Sequence, residues 1–205
     1  VVDFGAGVGA AGLALARRVA GISLRLVEID PLLAQLARGN AVANGLNAEV
    51  VTLDIAADAA AFAAAGLAPD SADVVLMNPP FHDPARHRGS PDAAREIAHV
   101  ATATTLQAWV HAARRLLKSG GTLTLIWRAD GLAEVLAELQ RGFGSIRVLA
   151  VHSDPAEPAI RIIVRAVKGG RAPLAIAPAV ALRDASGAPD PHIQDVLAGT
   201  AALRF

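Results

Sequence analysis

The sequence predicts an α/β fold, in which helices cover both faces of a mainly parallel β-sheet. Short runs rich in Val, Ile and Leu alternate with longer runs rich in Ala, Leu and Arg, as in successive βα units. No repeat or linker divides residues 1–168, and a chain of 205 residues is long enough for one full core. We therefore expect one domain over 1–168. Residues 169–205, which are richer in Pro and Gly, are predicted to be an irregular appendage packed on it.

The individual elements follow from these patterns. The apolar runs predict strands near residues 1–4, 23–28, 48–53, 72–77, 121–127, 146–152 and 159–167. The Ala-rich stretches predict helices near 10–20, 31–44, 56–65, 92–118 and 130–140. Asp30 before Pro31 is typical of a helix start, and Gly45 of a helix end. Because Val1 already lies in a predicted buried strand, we expect the natural protein to begin upstream of it.

Composition excludes several classes of function. The 19 basic and 19 acidic side chains cancel, which disfavours a basic nucleic-acid-binding coat but allows a local basic patch. The absence of Cys excludes disulfides, thiolate zinc sites and a cysteine nucleophile. Neither a signal peptide nor a run of about 20 apolar residues occurs, so we expect a cytoplasmic protein with no membrane partner.

A glycine-rich turn, Gly5-Ala6-Gly7-Val8-Gly9, follows the first predicted strand. Glycines at a strand-to-helix turn let a ligand approach the backbone and leave the first N–H groups of the helix free to bind it. Residues 7–12 also fit the pattern GxGxxG of proteins that bind nicotinamide dinucleotides. The loop alone therefore does not identify the ligand.

Acidic residues beside this loop narrow the choice of ligand. Glu28, at the end of the second strand, could accept hydrogen bonds from both hydroxyls of an adenosine ribose, whether that ribose belongs to a dinucleotide or to another adenosine-containing ligand. Asp3 would repel a pyrophosphate but would suit a ligand that carries an ammonium and a sulfonium, which predicts S-adenosylmethionine. Asp54 could accept from an adenine amino group while the N–H of Ile55 meets a ring nitrogen, or Asp54 could simply cap the next helix.

The fourth predicted strand ends in Asn78-Pro79-Pro80-Phe81. The prolines fix the backbone and remove its donors, so the carbonyls of the turn are held as acceptors. The Asn78 side-chain oxygen and the Pro79 carbonyl could each accept one N–H of a planar amino group, which would turn its lone pair toward an electrophilic methyl group. Phe81 offers a face on which an aromatic acceptor can stack. The alternative is that the prolines only end the strand and that Phe81 packs in the core.

Together these segments resemble the class I S-adenosylmethionine-dependent methyltransferases with an NPP(F/Y) motif. The resemblance is carried by Val2 to Gly9, Val27-Glu28-Ile29-Asp30, Asp54 and Asn78 to Phe81. Within that superfamily the chain is similar to the bacterial tRNA(Val) adenine-37 N6-methyltransferase group. That similarity rests on Gly89-Ser90-Pro91-Asp92, Ala94-Arg95-Glu96 and residues 116–121.

The resemblance implies a Rossmann-like, seven-stranded class I methyltransferase sheet and transfer of a methyl group to an exocyclic amine, adenine N6 of tRNA. The residues expected to bind the cofactor are Asp3, Phe4, Gly5, Ala6, Gly7, Gly9, Glu28, Ile29, Asp54, Ile55 and Asn78. The residues expected to be catalytic are Asn78, Pro79, Pro80 and Phe81. Phe81 and the basic residues Arg86, Arg88 and Arg95, just beyond the motif, are expected to contact the RNA substrate.

Other activities stay open. Phe81-His82-Asp83 is similar to the motif of ribosomal RNA guanine-N2 methyltransferases. Metal-dependent O-methylation of a small molecule is disfavoured, because residues 127–130 lack the adjacent Asp-Asn pair that such a site needs, and we predict no metal site. The lack of Cys excludes methylation at pyrimidine C5, which needs a thiolate. A module that binds adenosine without catalysis is the non-enzymatic alternative.

Overall fold

The computed structural model describes residues 1–80, 91–203 and 205, and for residues 91–103 it describes the backbone alone. The strands are β1 (Val2–Phe4), β2 (Leu24–Glu28), β3 (Ala48–Thr52), β4 (Ala72–Met77), β5 (Leu117–Arg128), β6 (Phe143–His152), β7 (Ala159–Lys168), β8 (Ala175–Ile176) and β9 (Val180–Ala181). The helices are α1 (Ala10–Arg18), α2 (Pro31–Ala43), α3 (Ala59–Ala64), α4 (Pro91–Leu116), α5 (Leu132–Leu139) and α6 (Pro191–Ala198).

One mixed sheet contains all the described strands, in the order β3-β2-β1-β4-β5-β7-β6-β8, and β9 also pairs with β6. Strands β1 to β5 pair with one another in parallel, and β7 runs antiparallel to both β5 and β6. The α/β fold and its seven main strands are confirmed. The expected strand number is too low, however, because two-residue strands from the C-terminal segment extend the sheet beyond β6.

The two faces of the sheet carry separate apolar clusters. Phe4 pairs with Val27 on β2 and Met77 on β4, and all three side chains lie in the larger cluster, together with side chains of α4 and α5. Leu24 and Leu26 lie in the smaller cluster, together with side chains of α1 and α2. Asp3 pairs with Leu26, so its side chain lies on the face that α1 and α2 cover.

Helix boundaries agree with the sequence where a capping residue is unambiguous. Asp30 caps α2 by accepting from the N–H of Leu32 at 2.8 Å, as predicted. The helix expected from residue 56 instead begins at Ala59, because Asp58 is the N-cap and accepts from the N–H of Ala61 at 2.9 Å. Of the helices in the described part of the chain, none is both long and apolar enough to cross a lipid bilayer.

The C-terminal segment is less irregular than its composition indicates. Besides β8 and β9 it contains α6, which begins after Asp190 as N-cap and ends at Gly199. Ile193 of this helix is buried, and the Arg18 side chain donates to the carbonyl of Ala201 at 2.5 Å. The segment therefore contacts the sheet edge at β6 and the end of α1. A domain boundary at residue 168 is still a prediction.

Gly5 illustrates how the packing constrains the loop after β1. Its φ is +64°, and a Cβ there would lie 2.4 Å from the Trp109 ring. We expect Gly5→Ala to lower the free energy of unfolding by about 2 to 4 kcal/mol, through overpacking and backbone strain together. Gly39→Ala is the control, because that site lies in a helix with open space around it and should stabilise the protein by up to about 1 kcal/mol. Urea denaturation of both variants measures this, and equal stabilities would show that Trp109 does not restrict the loop.

Candidate active site

The parallel strands bring the predicted site residues to one edge of the sheet. Phe4, Val27 and Met77 are neighbours across β1, β2 and β4, so the residues that follow each of them meet at the carboxyl ends of these strands. The sheet order reverses direction between β1 and β4. A crevice at such a reversal is where ligands bind in open α/β sheets.

The loop after β1 is held from several sides. The N–H of Ala6 donates to the carbonyl of Val27 at 3.0 Å, and the N–H of Gly9 donates to the carbonyl of Ala6 at 2.8 Å. From α2, the Asn40 side chain donates to the carbonyl of Val8 at 2.9 Å. At Gly7, with φ of +56°, a Cβ would meet no atom within 4 Å. The space over Gly7 is therefore open to a ligand, whereas Gly5 is needed for packing against Trp109.

Glu28 is buried and organises the site through both carboxylate oxygens. Its Oε2 accepts from the N–H of Gly7 at 2.7 Å, and its Oε1 accepts from the N–H of Asp30 at 3.0 Å. Each carboxylate oxygen has a second lone pair, so the group can still accept from a ligand hydroxyl. Glu28 thus links the glycine loop to the start of α2 and keeps acceptor capacity at the sheet edge.

Asp3 lies beneath the first turn of α1, with 4% of its surface exposed. Its Oδ2 accepts from the N–H of Gly12 at 2.9 Å. Burial raises the pKa of Asp3 to about 6, the hydrogen bond from Gly12 opposes this, and the nearby charge of Glu28 adds to it. The protein therefore incurs a free-energy cost by keeping this carboxylate charged at neutral pH.

The two carboxylates fit a cationic ligand. Within the part of the chain that the structure describes, Asp3 and Glu28 are the only charged side chains in the buried class, and neither forms an ion pair there. Buried charges in proteins are usually paired. A ligand carrying an ammonium and a sulfonium would supply the missing positive charge, while a pyrophosphate would add to the repulsion.

The remaining expected cofactor residues differ in whether their side chains or only their backbones are accessible to a ligand. Ile29, next to Glu28, is 60% exposed and provides an apolar surface at the edge. Asp54 accepts from the N–H of Ala56 at 2.8 Å, yet its side chain is exposed and accessible. Phe4 and Ile55 have buried side chains in the larger cluster, so only their backbones can contact a ligand at this edge.

Asn78 directly follows β4 at the same edge. Its neighbour Met77 pairs with Phe4, which immediately precedes Gly5, so Asn78 and the glycine loop are adjacent. Asn78 and Pro80 are exposed, whereas Pro79 is buried and anchors the turn. This is the arrangement expected for acceptor groups held at the surface by a fixed backbone.

Trp109 is buried in the core and also supports the glycine loop. It is buried on α4, and its ring meets that of Phe4 edge-on at 6.5 Å between centroids. The same indole lies against Gly5, so it supports the glycine loop from below. No spacing pattern in the sequence links residue 109 to residue 5, although the chain has only two Trp residues.

Several expected substrate contacts lie outside the described residues. These are the side chains of Phe81, Arg86, Arg88 and Arg95. Among the described residues, no group of three or more His, Asp or Glu side chains could hold a metal ion.

Comparison with known proteins identifies the family. The methyltransferase small domain model matches residues 1–154. The chain is 30% identical over 139 residues to the tRNA1(Val) (adenine(37)-N6)-methyltransferase of Porphyromonas gingivalis, which covers 65% of this chain and 51% of that protein. It is 33% identical over 126 residues to the ribosomal RNA small subunit methyltransferase C of Pseudomonas syringae pv. tomato, covering 62% of this chain and 31% of that protein. The chain thus spans about half or less of the length of these curated relatives.

A solved structure matches almost the whole chain. It is that of Atu636, a predicted O-methyltransferase of Agrobacterium tumefaciens, with a TM-score of 0.81 and 30% identity over 98% of this chain and 89% of that one. The matched family and fold are those that the glycine loop, with Asp3 and Glu28 beside it, indicates. The chain belongs to the methyltransferase small domain family, with S-adenosyl-L-methionine as its cofactor.

Proposed function

We propose that the protein transfers a methyl group from S-adenosylmethionine to an exocyclic amino group of a nucleobase, adenine N6 of tRNA. The observation that carries the proposal is the position of Asn78, exposed at the end of β4 beside the glycine loop. Relatives that act on tRNA adenine and on ribosomal RNA support an RNA acceptor. A release factor glutamine methyltransferase of Chlorobaculum tepidum is also 30% identical, over 155 residues, which makes a glutamine amide the competing nitrogen acceptor.

The residues at the sheet edge divide the binding of the cofactor between them. Asp3 would face positive charge, Glu28 would accept ribose hydroxyls, and Asp54 would accept from the adenine amino group. Ile29 would cover the adenine ring, and Gly7 leaves room for close approach of the ligand to the backbone. When bound, S-adenosylmethionine supplies a methyl group made electrophilic by a positively charged sulfur.

The chain's own contribution to catalysis is chiefly positioning. The Asn78 side-chain oxygen and the Pro79 carbonyl each accept one N–H of the acceptor amine, which fixes its orientation and directs its lone pair out of the ring plane. A base of high pKa is unnecessary, since the amine becomes acidic once it carries the new bond and can then release its proton to water. Orientation and electrostatic stabilisation together account for large rate enhancements in enzymes of this kind.

A second candidate is methylation of an oxygen acceptor. The observation that favours it is the likeness to Atu636 over 98% of this chain, a far greater coverage than that of the RNA-modifying relatives. A hydroxyl group carries one hydrogen where an amino group carries two, so it does not need both the Asn78 and the Pro79 acceptor, and an Asn78 variant would affect it less. Comparing the product formed from tRNA with that from small phenols distinguishes the two candidates.

Replacement of Phe81 tests the stacking of the base. We expect Phe81→Ala to raise the KM for the RNA acceptor about tenfold or more, because stacking of one base on an aromatic ring contributes roughly 1 to 3 kcal/mol. The measurement is initial rate against tRNA concentration at saturating S-adenosylmethionine. Phe205→Ala is the matched control, since it removes an equal ring from the end of the chain, where it lies over Arg165. An unchanged KM in Phe81→Ala would remove the stacking role.

A further inference from the structure

A groove on the outer side of α4 borders the site described above at Ile55 and Ala56, and its other lining residues have no part in that site. It is a cavity of about 340 Å³ between the turn before α3, the second half of α4 and the end of α5. That volume is within the range of small-molecule binding sites, about 300 to 1,000 Å³. The groove is lined by the apolar residues Ala56, Ala57 and Ala108 and by the basic residues Arg114, Arg115 and Arg141.

The groove carries an excess of positive charge. Its lining residues include three arginines and one carboxylate, that of Glu138. Glu138, whose side chain is 22% exposed, lies 3.9 Å from Arg141, whose side chain is 66% exposed, so solvent screens the pair and it contributes little. Arg114 donates to the carbonyl of Arg141 and contacts the His111 ring at 3.3 Å, so it is fixed in place with no carboxylate partner among the described residues.

Arg115 is the most unusual of these residues. Its guanidinium lies over the Phe62 ring, 4.4 Å from the centroid, which removes water from one face of the cation. Its Nη2 is buried with no hydrogen-bond partner among the residues that the structure describes. Buried donors in proteins are nearly always hydrogen-bonded, so Arg115 Nη2 is available to a ligand acceptor.

The position of Arg114 and Arg115 in the last turn of α4 accounts for part of this charge. Cations there interact favourably with the helix macrodipole. That interaction does not explain why Arg141, which follows a different helix, lines the same groove. Nor does it explain the apolar residues in the same groove. Guanidinium groups bind phosphate through paired N–H donors, and neighbouring apolar side chains can contact a ring attached to that phosphate.

We propose that this groove binds a phosphate group, held by Arg115 and Arg141 and contributed by a small phosphorylated ligand or by the backbone of an RNA. The alanine side chains of the groove would contact the sugar or base attached to that phosphate. The proposal does not depend on the identity of the methyl acceptor, because the binding test uses no methyl transfer.

Titration calorimetry at low ionic strength tests this, with inorganic phosphate, uridine monophosphate and a 12-residue oligouridylate as separate probes. Uracil is chosen because an adenine nucleotide could occupy the cofactor site.

Arg141→Gln changes an exposed side chain and should leave the fold intact. We expect it to weaken binding about tenfold, as loss of a charge-assisted contact does. Arg115→Lys keeps the charge but removes the planar fork and should weaken binding by a similar factor.

Arg17→Gln is the matched control, because it removes the same charge from the exposed end of α1, and it should bind every probe as the unchanged protein does. Binding of uridine monophosphate or phosphate that is lost in Arg141→Gln identifies a small ligand. Binding of the oligouridylate alone, lost in the same variant, identifies an RNA backbone. If Arg17→Gln weakens binding as much as Arg141→Gln, or if none of the three probes binds, the proposal is overturned.

Discussion

Asn78→Ala is expected to lower turnover by about a hundredfold or more and to lower the affinity for S-adenosylmethionine far less, because the ten other residues expected to bind the cofactor are unchanged. The reason is that the side-chain oxygen acts on the acceptor amine in the transition state, and loss of one preorganised group of this kind costs on the order of 10² to 10³ in rate. The measurements are single-turnover methyl transfer and calorimetric binding of the cofactor on the same preparation.

Asn47→Ala is the matched control for this variant. Asn47 is exposed just before β3, away from the sheet edge, so its truncation should change neither quantity. Loss of cofactor binding in Asn78→Ala with normal turnover at saturating cofactor would contradict the assignment of Asn78 to the acceptor.

Asp3→Asn is expected to stabilise the ligand-free protein at pH 7.5 and to weaken S-adenosylmethionine binding tenfold or more. The pKa of Asp3 is raised from 3.8 to about 6, so holding the carboxylate charged costs about 3 kcal/mol at neutral pH. Asn removes that cost, and its side-chain oxygen can still accept from the N–H of Gly12. The same change removes the negative charge that faces the cationic cofactor.

The pH dependence of this effect has a definite sign. Below about pH 4 the carboxyl group is protonated in both folded and unfolded chains, so the two proteins should differ little in stability. As pH rises from 4 to 6 the unfolded chain loses its proton first, which destabilises the folded wild-type protein relative to Asp3→Asn. Above about pH 6 the difference should be constant, at several degrees in Tm.

Thermal unfolding across this pH range, with and without S-adenosylmethionine, checks both halves of the prediction. Glu157→Gln neutralises an exposed carboxylate and should alter neither stability nor binding. If Asp3→Asn lowered the stability of the ligand-free protein at every pH, Asp3 would be a structural residue of the α1 turn and its role toward the cofactor would be withdrawn.

The sheet edge is the part of the structure that the sequence predicts best. Apolar runs ending at Phe4, Glu28 and Met77 determine where the strands stop, and parallel pairing then brings the following residues together. Asp30 with Pro31 likewise determines the start of α2, because a cap and a proline at N1 act locally.

What the sequence does not predict depends on contacts between distant residues. Asp54 and Asp58 are both good N-caps, and the choice of Asp58 depends on Phe62 reaching the core. Strands β8 and β9 contain two residues each and exist only through pairing with β6. The packing of Trp109 against Gly5 joins positions about a hundred residues apart, and no local pattern reports such a contact.

Helix α6 could have been predicted, because Asp190-Pro191 and Gly199 repeat the start and stop signals used successfully for α2. The density of Pro and Gly around it indicated irregular structure instead. Composition over a long window is thus a weaker guide than a paired cap and stop at helical spacing.

The most direct test of the account is transfer of tritiated methyl groups from S-adenosylmethionine to bulk tRNA, ribosomal RNA, protein and small catechols in parallel, followed by nucleoside analysis of labelled RNA. We expect label in tRNA, recovered as N6-methyladenosine and absent with Asn78→Ala. Label recovered only in protein or in a catechol would contradict it, because the Asn78 and Pro79 acceptors would then not be orienting a nucleobase amine.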